Sequence, residues 1–442
     1  MQLTKTTAEL YHYYQQHPRV TTDTRQLQPG DLFVALKGDR FDGNQFAATA
    51  LASGAAYAIV DDPQVAVDAR YLLVEDTLQA LQDLARHHRR QFRIPVLAIT
   101  GSNGKTTTKE LVAAVLSMQY PTHFTRGNLN NHIGVPLTLL SMPLSTELAV
   151  VEMGANHQGE IAALCEIAEP THGLITNIGE AHLEGFGGIE GVKKGKSELY
   201  RYLAANKGVA FINADEDFLD ELATPVAKKI HYRVAAHPSL EEPYFELRLH
   251  ALQPQLKVSF IDAGGTTFMA TTHLSGQHNL QNVNTAVAVG KYFKVPADKI
   301  VQALEAYRPQ SNRSQWLDQD GVHYLLDAYN ANPSSMAASL RNFAALPGPR
   351  KLVILGEMLE LGASSEEAHW QIAKLTQELP FTAVWLVGPA FAPAAKALKL
   401  PHFTNAEAVR AVYDPAAWQG ARVMLKGSRG VALEQILSTH TQ

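Results

Sequence analysis

A glycine-rich segment between a strand-like run and a helix-like run has the residue types needed to bind phosphate. The apolar run Val96–Ile99 precedes the segment, and helical periodicity follows it as far as Met118. Glycines let backbone N–H groups approach phosphate oxygens, and the positive end of the helix dipole favours their charge. We expect Lys105 to offset the charge of the β- and γ-phosphates and the Thr106 hydroxyl to bind Mg²⁺. The alternative is a glycine-rich turn without a ligand. The predicted loop consists of Thr100, Gly101, Ser102, Asn103, Gly104, Lys105, Thr106 and Thr107.

A carboxylate and an imidazole follow two more predicted strands. Glu152 ends an apolar run over 148–151, and His182 follows the strand predicted over 173–178. Side chains at the ends of neighbouring strands could together bind a divalent cation beside the phosphate loop. Taken singly, the glutamate could be a helix cap and the histidine a structural residue. Lys196 lies nearby in a helix-like stretch over 191–203.

Several polar residues further along the chain could bind a nucleotide. Asn279 and Asn282 are three residues apart and share one face of a predicted helix, so their amides could bind a base edge or serve as cap and surface residues. Arg313 follows a predicted domain boundary, where it could reach phosphate across a cleft. Asp327 ends a strand and begins the segment DAYNANPSSM, whose Asn-Pro pair turn chemistry alone would explain.

The segment KGSRG is another predicted strand-to-helix turn. Lys426 and Arg429 flank Ser428 there, which would place two cations at a helix N-terminus. Such an arrangement suits a carboxylate ligand. The alternative is a capped surface helix with solvated charges.

The elements that must position these residues alternate between strand and helix almost throughout, which indicates α/β structure with parallel sheets covered by helices. Three consecutive antiparallel strands are predicted within 244–273. The 442 residues suggest about three domains. A basic cluster near 86–93 and an Arg-Pro pair at 308–309 predict domains at 1–93, 94–308 and 309–442.

Composition excludes several classes of protein. Hydrophobic residues make up 46% and charged residues 18%, which excludes a disordered chain. A net charge of −5 argues against a general nucleic-acid-binding protein. The sequence shows neither an apolar run of membrane-spanning length nor an export signal, which predicts a cytoplasmic protein. Cys165 is the single cysteine, so an intrachain disulfide is excluded.

The phosphate segment TGSNGKTTTK is shorter than the usual P-loop, because Ile99 stands where a glycine is expected. It resembles the loop of the Mur ligase and folylpolyglutamate synthetase superfamily, whose enzymes activate a carboxylate as an acyl phosphate. The resemblance implies a central P-loop ATPase-type domain, with a mostly parallel sheet between helices, and a C-terminal Rossmann-like domain. It implies ATP and Mg²⁺ as cofactors. It assigns four residues to catalysis, Lys105, Glu152, His182 and Lys196, of which Glu152, His182 and a carbamoylated Lys196 would hold Mg²⁺. It assigns Asn279, Asn282, Arg313 and Asp327 to ATP.

Further motifs resemble this family, and those of the C-terminal domain resemble the subgroup that joins D-alanyl-D-alanine to UDP-N-acetylmuramoyl-tripeptide in peptidoglycan precursor synthesis. DAYNANPSSM and KGSRG are similar to segments of its C-terminal domain, which binds the dipeptide. The N-terminal segments DTR, PGDLFVALKG and DGN resemble its UDP-sugar site, although Asn44 replaces a frequent histidine. The loop GNLNNHIG is similar to one that lines the UDP-sugar and peptide path. The substrate residues implied are Thr24, Arg25, Lys37, Asn130, Asn131, Tyr329, Asn330, Lys426, Ser428 and Arg429.

The resemblance therefore implies an ADP-forming ligase, which we expect to be monomeric. The related ligase that adds the third amino acid is an alternative, but its D-N-P-R signature is missing because Ser334 follows the Asn-Pro pair. Folylpolyglutamate synthetase would have no use for the UDP-sugar motifs. A P-loop nucleotide switch is the alternative from a different class, and it would not need both a UDP-sugar and a dipeptide for turnover.

Overall fold

The computed structural model describes residues 4–39, 41–180, 183–240, 244–309, 313–348 and 350–437. Three α/β domains follow one another along the chain, and each is built around its own sheet. The predicted fold class is confirmed. The exact domain limits at 93/94 and 308/309 stay predictions. No helix among the described residues has the length and apolar character needed to cross a membrane.

The N-terminal sheet has four parallel strands in the order β1-β2-β5-β6, and a separate two-stranded ribbon pairs β3 with β4. Its strands are buried on both sides, as expected for a parallel sheet between helices. The strands are β1 (Val20–Thr21), β2 (Leu32–Val34), β3 (Lys37–Gly38), β4 (Phe41–Asp42), β5 (Tyr57–Val60) and β6 (Tyr71–Leu73), and the helices are α1 (Thr7–Gln16), α2 (Ala47–Ala52) and α3 (Thr77–Arg89).

The central sheet has nine strands, which are β7 (Val96–Thr100), β8 (Thr122–Phe124), β9 (Leu148–Glu152), β10 (His172–Ile175), β11 (Val209–Asn213), β12 (Lys228–Val234), β13 (Phe245–Ala251), β14 (Lys257–Ile261) and β15 (Thr267–Thr271). Their order is β15-β14-β13-β12-β11-β10-β7-β9-β8. Pairing is parallel from β8 to β13 and antiparallel over β13–β15, which confirms the three predicted antiparallel strands.

Helices cover both faces of this sheet, because alternate strand residues enter two separate apolar cores. Ala98 and Val151 belong to one core with α6 and α9, whereas Leu97 and Val150 belong to the other with α4 and α11. The helices are α4 (Lys105–Leu116), α5 (Gly134–Leu140), α6 (Glu160–Ala168), α7 (Leu183–Phe186), α8 (Ile189–Lys196), α9 (Glu198–Ala205), α10 (Asp217–Leu222), α11 (Gln277–Tyr292) and α12 (Ala297–Ala306).

The C-terminal sheet has six strands in the order β16-β17-β21-β18-β19-β20, and only the edge strand β16 is antiparallel. Apolar cores lie on both faces, as in a Rossmann-like domain. The strands are β16 (Gln315–Gln319), β17 (Val322–Asp327), β18 (Lys351–Gly356), β19 (Ala383–Val387), β20 (His402–Phe403) and β21 (Arg422–Lys426), and the helices are α13 (Pro333–Ala345), α14 (Ser365–Glu378), α15 (Ala392–Leu398) and α16 (Ala406–Arg410).

The topology brings the predicted site residues to two sheet edges. Strands β10, β7 and β9 are parallel neighbours, so the phosphate loop after β7 lies beside Glu152 at the end of β9. In the C-terminal sheet, Asp327 and Lys426 are paired residues at the ends of β17 and β21. Ligands of open α/β sheets bind outside such carboxyl ends of strands.

Candidate active site

The phosphate loop has the backbone conformation that its glycines predict. Gly101 has φ +142° and Gly104 has φ +76°, a region that favours glycine. A Cβ atom on Gly104 would lie 2.6 Å from Oδ1 of Asn282, so the loop is also packed too closely for a side chain there. Helix α4 begins at Lys105, which places its N-terminus at the loop. The strand–loop–helix context predicted for phosphate binding is therefore confirmed.

Lys105 is held inside the curve of this loop. Its Nζ donates to the carbonyl oxygen of Gly101 at 2.7 Å and to that of Ser102 at 3.2 Å. Burial lowers the pKa of the ammonium; Glu152 raises it, and the charge of Arg313 lowers it further. Arg313 of the C-terminal domain thus contributes to the potential at the phosphate loop.

Glu152 is a buried carboxylate with one satisfied oxygen. Its Oε1 accepts from the Thr106 hydroxyl at 3.1 Å and from Nδ2 of Asn130 at 2.7 Å. Its Oε2 is buried and accepts no hydrogen bond from the described chain, although the Lys109 ammonium lies 3.7 Å away. A buried oxygen in that state normally needs a ligand or water. Together with the Thr106 hydroxyl it fits Mg²⁺, which prefers oxygen ligands.

His182 is the second predicted metal ligand. His182 lies outside the described residues, so its role stays a prediction. The described ranges contain no cluster of three or more His, Cys, Asp and Glu side chains that could hold a metal. A site that included Glu152 would therefore need other kinds of ligand or His182 itself.

Lys196 is 1% exposed and is the last residue of α8. Its Nζ donates to the carbonyl oxygen of Ala155 at 3.2 Å and lies 5.0 Å from the ring centroid of Phe186. Burial holds the pKa of this amine well below its ordinary value, and the Lys105 charge lowers it further. A neutral amine is the form that reacts with CO₂, so the environment suits the carbamate that the family resemblance implies.

Asn279 and Asn282 are buried at the start of α11, beside the phosphate loop. Oδ1 of Asn282 accepts from the Thr108 hydroxyl at 3.0 Å, and its Nδ2 donates to Oδ1 of Asn279 at 3.1 Å. Nδ2 of Asn279 donates to the carbonyl oxygen of Ser275 at 3.0 Å. The pair thus fixes α11 against α4, and its contact with adenine stays a prediction.

Two arginines flank the ring of Tyr329. Cζ of Arg313 lies 3.6 Å from the ring centroid, and Cζ of Arg429 lies 5.9 Å from it. Arg429 is 61% exposed and pairs with Glu434 at 3.3 Å. The structure therefore brings together three predicted residues, Arg313, Tyr329 and Arg429, which form a cationic surface that faces solvent. Asn330 is exposed beside them, and its Oδ1 accepts from the backbone of Ala331.

The KGSRG segment differs from the prediction in two respects. The turn is followed by 3₁₀ segments at Arg429–Val431 and Leu433–Leu437, so the predicted α-helix is wrong. Ala432 adopts φ +54°, which interrupts any continuous helix. Lys426 is not free for a carboxylate ligand either, because its Nζ donates to Oδ2 of Asp327 at 2.6 Å.

Asp327 and Ser428 also make structural contacts. Oδ2 of Asp327 accepts from the Ser339 hydroxyl at 3.0 Å, and its Oδ1 accepts from the Ser314 backbone at 3.2 Å. The Ser428 hydroxyl accepts from the backbone N–H of Leu359 at 3.0 Å. These contacts hold the strand ends of the C-terminal sheet in place, and the predicted ligand contacts of both residues stay predictions.

The predicted UDP-sugar residues lie in the N-terminal domain, apart from the loop that carries Asn130 and Asn131. Lys37 pairs with Asp61 at 2.9 Å, and Arg25 pairs with Asp23 at 2.8 Å. Thr24 is the first residue of a 3₁₀ turn over Thr24–Gln26, next to the Arg25–Asp23 pair. Oδ1 of Asn131 accepts from the backbone N–H groups of Ile133 at 3.2 Å and Gly134 at 2.8 Å, at the start of α5. Asn44, at the position of the frequent histidine, is buried between Asp42 and Asp61.

Sequence reasoning missed two residues at the site. Lys109 follows Lys105 by four residues, a spacing that places both on one face of α4. Asn332 caps α13, and its Nδ2 donates to Oδ1 of Asn103 in the phosphate loop at 2.8 Å. The helical spacing would have identified Lys109. The sequence Asn-Pro is an N-cap signal that would have identified Asn332 as the cap of α13, but not its bond to Asn103.

Three family models match the chain, one in each domain. The Mur ligase family catalytic domain matches residues 18–89, the Mur ligase middle domain matches 99–290, and the Mur ligase glutamate ligase domain matches 312–429. Together they account for most of the chain.

Named relatives agree with these models. The chain is 37% identical over 423 residues to UDP-N-acetylmuramoyl-tripeptide–D-alanyl-D-alanine ligase of Escherichia coli (strain K12), covering 95% of this chain and 92% of that protein. A crystal structure of MurF from Acinetobacter baumannii is 34% identical with a TM-score of 0.83, covering 95% of this chain and 92% of that one. A MurF ligase from Thermotoga maritima in complex with ADP is 27% identical with a TM-score of 0.80, covering 95% and 96%. The chain therefore belongs to the Mur ligase family.

Proposed function

We propose that this protein is an ATP-dependent ligase that joins D-alanyl-D-alanine to UDP-N-acetylmuramoyl-tripeptide and releases ADP and phosphate. The observation that carries the proposal is the contact between the Thr106 hydroxyl and the buried Glu152 carboxylate at the head of the phosphate loop. That pair, beside Lys105, supplies the groups a phosphoryl transfer needs. The substrates are proposed from the names of the relatives and from the subgroup's C-terminal motifs.

In the first step, an oxygen of the tripeptide's terminal carboxylate attacks the γ-phosphorus of ATP, and the bond to the β-γ bridging oxygen breaks. ADP leaves and an acyl phosphate remains. Lys105 and the backbone N–H groups of the loop hold the phosphates, and Arg313 adds positive charge from the C-terminal domain. Such preorganised cations stabilise the charge that develops on the transferred group.

In the second step, the amine of the dipeptide attacks the acyl carbon, passing through a tetrahedral intermediate. The C–N bond forms, the C–O bond to phosphate breaks and the amine loses a proton. The cationic surface of Arg313, Tyr329 and Arg429 is the proposed site for the dipeptide's carboxylate, because Arg429 is exposed enough to meet it. The described residues offer no evident base for the amine, and we assign none.

Mg²⁺ would be held by Thr106, Glu152, His182 and a carbamoylated Lys196. Bound there, it would neutralise charge on the phosphates. Lys196→Ala should be inactive, and a small added carboxylate should partly restore activity by taking the place of the carbamate. An unmodified Lys196 in the active enzyme, by intact mass and electron density, would contradict the carbamate and leave the Glu152 assignment standing.

The proposed function is tested by phosphate release from ATP. We expect release only when UDP-N-acetylmuramoyl-tripeptide and D-alanyl-D-alanine are both present, with the joined pentapeptide found by mass spectrometry. Tripeptides that differ at residue three would identify the natural acceptor. Turnover with UDP-N-acetylmuramoyl-dipeptide and a free amino acid would instead indicate the ligase for the third residue. Hydrolysis of ATP without either substrate would indicate a nucleotide switch.

A further inference from the structure

Asn332 makes hydrogen bonds to two different domains with one side chain. Its Oδ1 accepts from the backbone N–H of Ser335 at 2.9 Å and caps α13. Because the cap fixes the oxygen on the helix side, the NH₂ group must point the other way. There Nδ2 donates to Oδ1 of Asn103 at 2.8 Å. Asn332 is buried and Asn103 is partly buried, so this contact is largely removed from solvent.

The other hydrogen bonds of Asn103 within the described part of the chain come from the central domain. Its backbone N–H donates to Oδ1 of Asn177 at 3.0 Å, and its carbonyl oxygen accepts from the Thr176 hydroxyl at 2.6 Å and from Nδ2 of Asn177 at 3.0 Å. The backbone of the phosphate loop is therefore fixed by the segment that follows β10. The side-chain oxygen is fixed from the C-terminal domain, by Asn332.

Helix α13 also contacts the central domain near both of its ends. At its start, the Ser334 hydroxyl accepts from the backbone N–H of Glu180 at 3.4 Å. Near its end, Nε2 of Gln253 donates to the backbone and side-chain oxygens of Asn342, both at 2.8 Å. Helix α13 is thus held against the central domain at both ends, and its N-terminus is at the phosphate loop.

We propose that Asn332 is a positioning residue that couples the position of the C-terminal domain to the conformation of the phosphate loop. The loop is held in its phosphate-binding form when α13, which follows the proposed dipeptide surface, is seated. This inference rests on the proposed function for its catalytic consequence, but the coupling itself is a property of the free protein. It can therefore be measured without turnover.

The first experiment is hydrogen–deuterium exchange of the peptide over 100–108 in Asn332→Ser. Serine still caps a helix, but its side chain is too short to reach Asn103. The matched control is Asn405→Ser, because Asn405 caps α16 through Ala408 at 2.8 Å in the same way. We expect exchange of the loop to rise about fivefold in Asn332→Ser and to match wild type in the control, while both melt within a degree or two of each other.

The second experiment is a double-mutant cycle with Asn103→Ala on kcat/KM for ATP. Each single variant should lose about fivefold, the size expected for one hydrogen bond. The double variant should lose no more than the worse single variant, because both remove the same contact. Asn405→Ser should keep the wild-type value.

Three results would overturn the coupling. They are unchanged loop exchange in Asn332→Ser, an unchanged kcat/KM in that variant, and a double variant whose loss equals the product of the single losses. A wild-type protein with no dipeptide-dependent turnover would refute the proposed function instead. In that case the exchange experiment would still decide the role of Asn332.

Discussion

The ion pair between Lys426 and Asp327 makes a quantitative prediction about the C-terminal domain. The Lys426 side chain is 3% exposed and that of Asp327 is 17% exposed. Lys426→Met keeps most of the side-chain volume but removes the charge. Among the described residues, the Asp327 carboxylate then keeps two neutral donors, the Ser339 hydroxyl and the Ser314 backbone. The variant therefore isolates the effect of an uncompensated buried charge.

Removing one partner of a buried ion pair typically costs about 3–5 kcal/mol. We expect the lower limit, about 3 kcal/mol, because the two neutral donors remain and Asp327 keeps some contact with water. A domain of this size loses about 4 °C in melting temperature for each kcal/mol, so its transition should fall by about 12 °C. The double variant Lys426→Met/Asp327→Asn removes both charges and should lose only about 1 kcal/mol.

The pH dependence of this loss has a defined sign. Burial raises the pKa of the Asp327 carboxyl, but the charge and hydrogen bond of Lys426 outweigh it and hold the pKa below its ordinary value. A carboxylate with a depressed folded-state pKa stabilises the protein above its unfolded pKa of about 3.9, and this contribution is lost as the pH falls through the folded-state pKa. In Lys426→Met burial raises the pKa of the Asp327 carboxyl without the opposing charge of Lys426, so protonation removes the uncompensated charge as the pH falls. The difference between wild type and Lys426→Met should therefore be largest at neutral pH and smaller at pH 4 and below.

Urea unfolding of wild type and both variants at pH 7 and pH 4 measures these quantities. The C-terminal transition can be followed through Trp316, Trp370, Trp385 and Trp418, the four tryptophans of the chain. Equal losses in the single and double variants would refute the reasoning, because they would show that the charge left behind costs nothing. A loss below about 1 kcal/mol in Lys426→Met would do the same.

Three further predictions concern the ligand sites. Lys105→Ala should abolish turnover with an unchanged circular dichroism spectrum; activity within about tenfold of wild type, roughly 1.4 kcal/mol of barrier, would contradict the phosphate-loop assignment. Gly104→Ala should weaken ADP binding, measured by titration calorimetry, at least tenfold, because the added Cβ would meet Asn282. Gly420→Ala is the control, because Gly420 has a similar φ of +71° but lies in open space, and this variant should bind ADP normally. Arg429→Ala should raise KM for D-alanyl-D-alanine about tenfold and leave KM for ATP unchanged. The variant should also discriminate less against the dipeptide's C-terminal amide. Equal use of the dipeptide and the amide by wild type would show that no carboxylate site operates.

The parts of the fold that sequence predicts well are those encoded by contiguous residues. The strand, glycine loop and helix around Lys105 occupy one short segment, and each element has its own signal in apolar pattern or glycine content. The antiparallel strands β13–β15 likewise follow from alternation along a single stretch. Their contacts are local in sequence, so periodicity and turn chemistry suffice to predict them.

The contacts that sequence did not predict join residues that are far apart in the chain. Lys426 and Asp327 are 99 positions apart and meet only because β17 and β21 are parallel neighbours in register. Asn332 and Asn103 are 229 positions apart and belong to different domains. Lys426, Asp327 and Asn103 were recognised from the sequence without their partners, and Asn332 was missed, because strand order and domain packing are not encoded in any local pattern.

The electrostatics of the site explain why these distant contacts matter for function. Burial lowers the pKa of both Lys105 and Lys109 by more than Glu152 raises it, and Arg313 lowers both further. The protein thus gathers cations from the central and C-terminal domains around one shared carboxylate. A triphosphate bound at the loop would offset this positive charge, to which Arg313 contributes from the C-terminal domain. We therefore expect phosphate binding and domain position to be linked by charge as well as by the hydrogen bond from Asn332, and the proposed dipeptide surface at Tyr329 belongs to the same domain as Arg313.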